Sequence, residues 1–364
     1  MREHRHWHGA TIPPMRGHRS VTESANPSGP GVRALKWVGA ITAVVSLLLG
    51  VQQLTSRIRD SLQRNRETTT LIEVARGQAS RLEFRDAWKS LDRALALNPG
   101  DAVDAARVEI GFAWLEDAHP GPDQPFSTIT DAVTPVLDRA LLNAQGKQRA
   151  DILAHLGWAT FLRTRNGASG DPDARYQEAL AADPGNAFAN AMLGHWLMWN
   201  GGNVDASRAR FDTALAAGGA AHAFVRRLQL AALINKQGDQ GDAELLRVAS
   251  DMRQRAEQID TDVADKVYWV YTLHWGPRAG AGFTPPPSVS AADLETTYEW
   301  ILAKSASGQR TPEVSTYVRA MLQEAAGDRA AALATLRGLR IQDVPPLYRE
   351  PVEKAIARLA KAPQ

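Results

Sequence analysis

Not one cysteine occurs in the 364 residues. That absence excludes disulfides, thiolate metal sites, iron–sulfur clusters and cysteine nucleophiles. It leaves the compartment open, because a chain without disulfides survives in oxidising and reducing surroundings alike. Aromatic residues are scarce at 7%, and lysine is scarcer, with 8 residues against 34 arginines. The 28 glycines and 20 prolines are ordinary, which excludes collagenous and low-complexity chains.

A basic field is also missing, despite a sequence pI near 8.9. Of 42 basic and 40 acidic residues, six and two lie in 1–56, which leaves 36 and 38 in 57–364. The large C-terminal part is almost neutral and has nothing to gather phosphates, so no nucleic-acid partner is expected. The basicity belongs to a tail, residues 1–32, that carries Arg2, Arg5, Arg16 and Arg19. Its low apolar content predicts disorder. His4, His6, His8 and His18 could bind a metal ion weakly, but a solvated, partly protonating segment is the simpler expectation.

Catalytic motifs are lacking too. There is no G-x-x-x-x-G-K-[ST], H-E-x-x-H, G-x-S-x-G or G-x-G-x-x-G. Beyond the tail the histidines (His119, His155, His195, His222 and His274) come one per segment. His155 and His195 could approach each other, yet hydrogen bonding within a core is the expectation for both. No enzyme, catalytic residue, cofactor or metal site is predicted. The rival expectation places unrecognised chemistry in the C-terminal third, 259–364.

What the chain does have is alanine, 60 residues of it. Alanine loses no side-chain entropy in a helix, so an all-α chain is expected. Its length suits one extended or two compact domains.

The chain has one long apolar run. Twenty residues, Trp37 to Ser56, carry no charge between Lys36 and Arg57. At about 1.5 Å per residue they span roughly 30 Å, the hydrocarbon thickness of a bilayer. A single N-terminal transmembrane helix over 33–56 is expected, touching the membrane through residues 37–56. Flanking charge would keep the bulk inside, since Arg33 and Lys36 precede the run and Arg57, Arg59, Arg64 and Arg66 follow it. Against this, the basic tail would then have to cross. The expectation is a single-pass protein of a bacterial inner membrane with its C-terminal domain periplasmic. The arginine and alanine content suits a GC-rich bacterial source. Residues 57–69 read as a juxtamembrane stalk, where Leu54, Ile58 and Leu62 prolong an apolar stripe suited at most to weak self-association.

Internal repetition is the clearest signal. Leu91/Ala94, Tyr176/Ala179 and Phe211/Ala214 each set a large side chain three residues before an alanine, and Pro99 and Pro184 follow the first two. Ile110-Gly111, Leu156-Gly157 and Leu193-Gly194 precede units of this kind. Glycine and alanine let two helices of a hairpin approach closely, and proline ends the second. These residues resemble the tetratricopeptide repeat (TPR), a helix–turn–helix unit of 34 residues. Asp117–Gln124 and Arg165–Asp171 lengthen two of the turns. The resemblance implies a TPR-type α-solenoid over 70–275. Residues 276–289 then form a Pro/Gly linker, and 290–364 a helical C-terminal cap with a degenerate repeat around Gly327–Leu336. Ser290-Ala-Ala-Asp293 reads as a capping box that opens a helix containing Tyr298, Trp300 and Ile301.

The resemblance also implies a function: a scaffold that holds a protein or peptide partner in a concave groove at a membrane, in the service of envelope assembly. The matching inner positions are Phe112, Leu115, Trp158, Phe161, Phe188, His195, Met198 and Trp199. Families that clamp a C-terminal carboxylate place Lys and Asn at these positions, and this chain does not. An aromatic and Met-rich groove suits an apolar helix or an extended segment with large side chains. The competing expectation buries the same rings between hairpins. Helix geometry adds one constraint. With Leu193 facing its partner helix, His195, Met198 and Trp199 fall together on the opposite arc. A third functional reading is a purely architectural, self-associating solenoid.

Overall fold

The computed structural model describes residues 30–118, 125–234, 236, 238–280 and 282–361, with the backbone alone described at 30–46, 48, 50 and 220. The tail up to residue 29 and most of the expected insertion around Asp117–Gln124 lie outside them. Every described element is helical. In chain order they are α1 (Pro30–Ala79), α2 (Phe84–Leu97), α3 (Asp101–Glu116), α4 (Phe126–Leu141), α5 (Gly146–Arg165), α6 (Asp173–Ala182), α7 (Ala187–Gly201) and α8 (Val204–Ala217). After a 3-10 turn at Gly219–Ala221 come α9 (His222–Ile234), α10 (Asp239–Gln254), α11 (Thr261–Trp275), α12 (Ala291–Leu302), α13 (Ala306–Arg310), α14 (Pro312–Ala325), α15 (Arg329–Arg337) and α16 (Pro346–Ala360).

The chain divides into two units, Met1–Glu67 and Thr68–Gln364. The described part of the first is helix alone. From Val51 to Arg76 α1 contains neither Gly nor Pro, so nothing interrupts its backbone hydrogen bonds. Leu54, Ile58 and Leu62 are all more than half exposed. Among the described residues no helix is long and apolar enough to cross a membrane. Most of the expected span, 37–56, falls where side chains are not described.

The second unit is a run of helical hairpins, and its sequence dictates where each begins and ends. Asn98 and Asp183 precede Pro99 and Pro184. Proline pushes the residue before it out of the helical region, and both residues are extended, closing α2 and α6. Side-chain oxygens of Asn186, Asn203, Asp260 and Ser290 accept from backbone N–H groups three residues on, at 2.8–3.0 Å. Ser290 thus starts α12 as its motif predicts.

In three successive hairpins, α3–α4, α5–α6 and α7–α8, a glycine meets a side chain of the partner helix. A Cβ on Gly157 would lie 2.5 Å from the Tyr176 ring, one on Gly194 3.2 Å from Phe211, and one on Gly111 2.9 Å from Val133. The alanines on the opposite side, Ala94, Ala179 and Ala214, are buried. Successive helices pack in order, and next-nearest contacts also join α3, α5, α7 and α9. These odd-numbered helices form the inner layer.

Beyond α10 the hairpin pattern loosens. Tyr268, Tyr271 and Tyr298 are fully buried, and each hydroxyl has a partner: Thr311 and Ser315 for the first, the Leu294 carbonyl for the second, the Ser315 carbonyl for the third. The described residues 276–280 and 282–289 form a loop whose Phe283 stacks on His274 at 3.6 Å. The α14–α15 hairpin turns at Gly327, whose φ of 90° suits glycine. It builds a small second core with α16 around Ala332, Leu336, Val352 and Leu359.

The close approach at Gly157 makes a direct test. Alanine is the better helix former by about 1 kcal/mol, so an unobstructed glycine should gain from the change. Gly201→Ala, where a Cβ meets nothing within 4 Å, should be neutral or stabilising. Gly157→Ala should instead cost about 1–3 kcal/mol by overpacking Tyr176, as should Ala179→Leu on the facing helix. Urea midpoints of the three variants check this. Equal shifts for the two glycine variants would disprove the hairpin contact.

Candidate functional site

The inner helices carry a nearly continuous stack of rings. Phe112 of α3 stacks on His155 of α5 at 3.8 Å, and His155 meets Phe188 of α7 at 4.8 Å. Phe188 meets Phe224 of α9 at 5.8 Å, and Phe224 lies edge-on to Trp158 at 6.5 Å. Trp158 stacks on Phe161 at 4.9 Å, both rings lie edge-on to His195, and the stack ends at Trp199. The spacing follows from geometry: one ring per helical turn on adjacent helices about 10 Å apart brings faces and edges within contact range.

The middle of this stack is closed. Trp158 Nε1 donates to the Leu115 carbonyl at 2.9 Å, tying α5 to α3. Arg227 of α9 donates from Nη2 to the Glu116 carbonyl at 2.7 Å, across 111 positions of chain. A cationic side chain at the exposed carbonyl end of α3 also complements its dipole. Both ring nitrogens of His155 face oxygen acceptors, Asp151 O at 2.7 Å and Glu116 Oε1 at 3.1 Å. No ring contact joins the two histidines His155 and His195 among the described residues.

The eight inner positions therefore separate. Leu115, Trp158, Phe161, His195 and Met198 are buried, and Leu115 is wholly enclosed. Phe112 and Phe188 are half-buried. Trp199 is 49% exposed, with the Arg165 guanidinium 4.3 Å above its ring. The stack is open at two places. Phe112 edges a cavity of about 950 Å³ between α3 and α4, walled by Val108, Pro135 and Val136. His195, Met198 and Trp199 line a second cavity, about 340 Å³, with Gly202, Ala232 and Lys236. The helix-wheel argument thus brings the right three residues together, although two of them are also packed. Sequence reasoning missed Phe224, Arg165 and Arg227, and it singled out His155 as a hydrogen-bonded core residue but not as a ring of this stack. Phe224 lies 36 residues beyond Phe188, a repeat-length interval that could have found it.

Among the described residues one triad could hold a metal ion. Asp239, Asp242 and His274 place donor atoms within 4.8 Å of one another. Local packing accounts for all three. The carboxylates sit in the first turn of α10, where a helix N-terminus favours negative charge, and His274 Nε2 is 2.8 Å from Asp242. A cavity of about 360 Å³ in the C-terminal third gathers His274, Tyr317 and Glu324, but Glu324 is already paired with Arg358.

No family model matches this chain, and no curated protein matches it. Among solved structures, a tetratricopeptide repeat protein from Parabacteroides merdae ATCC 43184 is similar at 14% identity and a TM-score of 0.38, covering 81% of this chain and 100% of that one. At that level of similarity the fold rests on the hairpin geometry above.

The electrostatics of His195 yield a prediction. Burial among rings, then the nearby Arg165 cation, pushes its pKa down to about 4 from 6.5. The native ring is neutral at pH 7, whereas the unfolded chain takes up a proton below about 6.5. The unfolded state binds more protons between those values, so stability falls as pH drops from about 6.5 to 4, by about 3 kcal/mol in all. His195→Phe keeps a ring and removes the titration. Denaturation midpoints for both proteins from pH 7 to 4 should diverge by that amount; parallel curves would show that His195 titrates normally.

Proposed function

We propose that this chain is a non-enzymatic scaffold that holds a protein or peptide segment at the open ends of its inner aromatic stack. The carrying observation is Trp199, a large aromatic side chain left half exposed beside a cavity while its neighbours on the same stack are buried. Tryptophan in such a position is the residue type that most often anchors a partner. The half-buried Phe112 beside the larger cavity offers a second contact. Because the middle is closed, the partner meets two separate patches and not one uninterrupted groove.

Trp199→Ala should leave stability within about 1 kcal/mol, because much of the ring already faces water. It should weaken partner capture by more than that. Parallel measurement of the melting midpoint and of capture by the intact protein decides the matter. A stability loss of roughly 3–5 kcal/mol with no separate binding defect would make the residue core and remove this reading.

The scaffold is tethered, on this proposal, by residues 37–56 in a bacterial inner membrane, with the helical array periplasmic and serving envelope assembly. The uncharged stretch of membrane-spanning length supports it, as does a backbone helical from Pro30 to Ala79 without interruption. A reporter active only outside the cytoplasm, fused after Gln364, should be active. Silence there, with a cytoplasmic reporter active at the same place, would reverse the orientation. A second reading, weak self-association through α1, is favoured by the exposed Leu54, Ile58 and Leu62. A monomer by light scattering would exclude it.

A further inference from the structure

We propose that the cavity at the C-terminal end of α7 takes an acidic peptide segment, its carboxylates held by Arg165 and Lys236 and an apolar side chain laid against Trp199. This deepens the scaffold reading and rests on it.

Charge is the first argument. No Asp or Glu is among the described residues that line the cavity. Lys236 lines its wall and Arg165 lies over the ring of Trp199, another wall residue; neither cation forms an ion pair with a carboxylate among the described residues. Several arginines of this unit are engaged by carboxylates instead. Arg163, Arg208, Arg226, Arg247 and Arg253 each meet a carboxylate at 3.2 Å or less. A guanidinium lying on an indole keeps its N–H edge free to donate to a carboxylate in plane.

Placement is the second argument. Lys236 is brought to this spot because Gly202 has no side chain. A Cβ there would lie 2.2 Å from Nζ, and the glycine's φ of +62° is the left-handed geometry that ends α7. The ammonium therefore sits by the carbonyl end of α7, where the helix dipole favours a cation. Trp199 and Lys236 come from the end of α7 and the segment after α9, which line the cavity, and Arg165 from the end of α5 reaches the Trp199 ring.

Third, a residue of the wall keeps an unused polar atom. His195 is 8% exposed and its enclosed Nδ1 has no hydrogen-bond partner. Buried polar groups are normally satisfied, so this ring has a bond to gain if it rearranges on binding. The site offers an aromatic plate and two cations. A segment with acidic and large apolar residues side by side complements both. Nucleic acid fits less well, since 57–364 hold slightly more acidic than basic residues and give no long-range attraction to a polyanion.

The test is selection from a random short-peptide library on the intact, detergent-solubilised protein, followed by fluorescence-anisotropy titration of a retained peptide. Retained peptides should be enriched in Asp and Glu next to Trp, Phe, Leu or Met. The Arg165→Gln/Lys236→Gln double variant should weaken binding about tenfold or more, as should replacing the peptide's acids by amides. Both changes lie at the surface, and an unaltered melting midpoint confirms the variant's fold. Trp199→Ala should weaken the acidic and the amide peptides alike. If retained peptides are neutral or basic and depend on Trp199 but not on the two cations, the acidic preference is wrong and the scaffold reading stands. If no peptide is retained in a Trp199-dependent way, both fall. Stronger binding of a single-stranded oligonucleotide than of any peptide would also overturn the proposal.

Discussion

Everything in the helical array depends on how closely the two helices of a hairpin can approach. Gly157 lets the Tyr176 ring lie directly on the α5 backbone, and Gly194 does the same for Phe211 on α7. With the glycine gone the ring has nowhere to sit, and a ring so enclosed cannot rotate away without opening a void. The close pair sets the tilt of each hairpin. The tilt in turn decides which face of α3, α5, α7 and α9 turns inward. Rings on that inward face then meet those of the next hairpin, and the stack from Phe112 to Trp199 follows from the approach distance in the hairpins behind it.

Much of this was legible in the sequence, because the requirement is local. A glycine at a crossing and a large side chain three residues before an alanine are composition at fixed offsets, and the same pattern yields the same contact in α5–α6 and α7–α8. Helix ends were legible for the same reason, since Pro99, Pro184 and Ser290 act on their immediate neighbours. In α3–α4 the glycine meets aliphatic Val133, which is not the residue three before an alanine, so this pair stood out less. The C-terminal helices depend on tyrosine hydroxyls bonded across 17 to 47 positions of chain, and no short motif reports that.

The candidate site was legible only in part, because burial depends on curvature and curvature depends on distant contacts. Periodicity places His195, Met198 and Trp199 on one arc. It cannot say that Arg227 reaches the end of α3, or that Trp158 bonds to the Leu115 carbonyl, and these two contacts close the middle of the inner face. Leu115 and Trp199 occupy comparable inner positions, yet one is wholly enclosed and the other half exposed. The difference lies in what stands opposite each.

His195 and Arg165 are coupled through Trp199, and the coupling runs in both directions. The cation on one side of the indole disfavours a second positive charge on the imidazole, adding to the effect of burial. A carboxylate that settles on Arg165 cancels part of that field, so the imidazole would take up a proton more readily in the occupied state. By linkage, protons and the acidic segment would then help each other to bind. Burial, the larger cause, opposes this and keeps the ring neutral near pH 7. Any such coupling therefore belongs to acidic conditions, where the same titration lowers the stability of the array. The exposed end of the stack is thus where binding, protonation and packing act on the same few side chains.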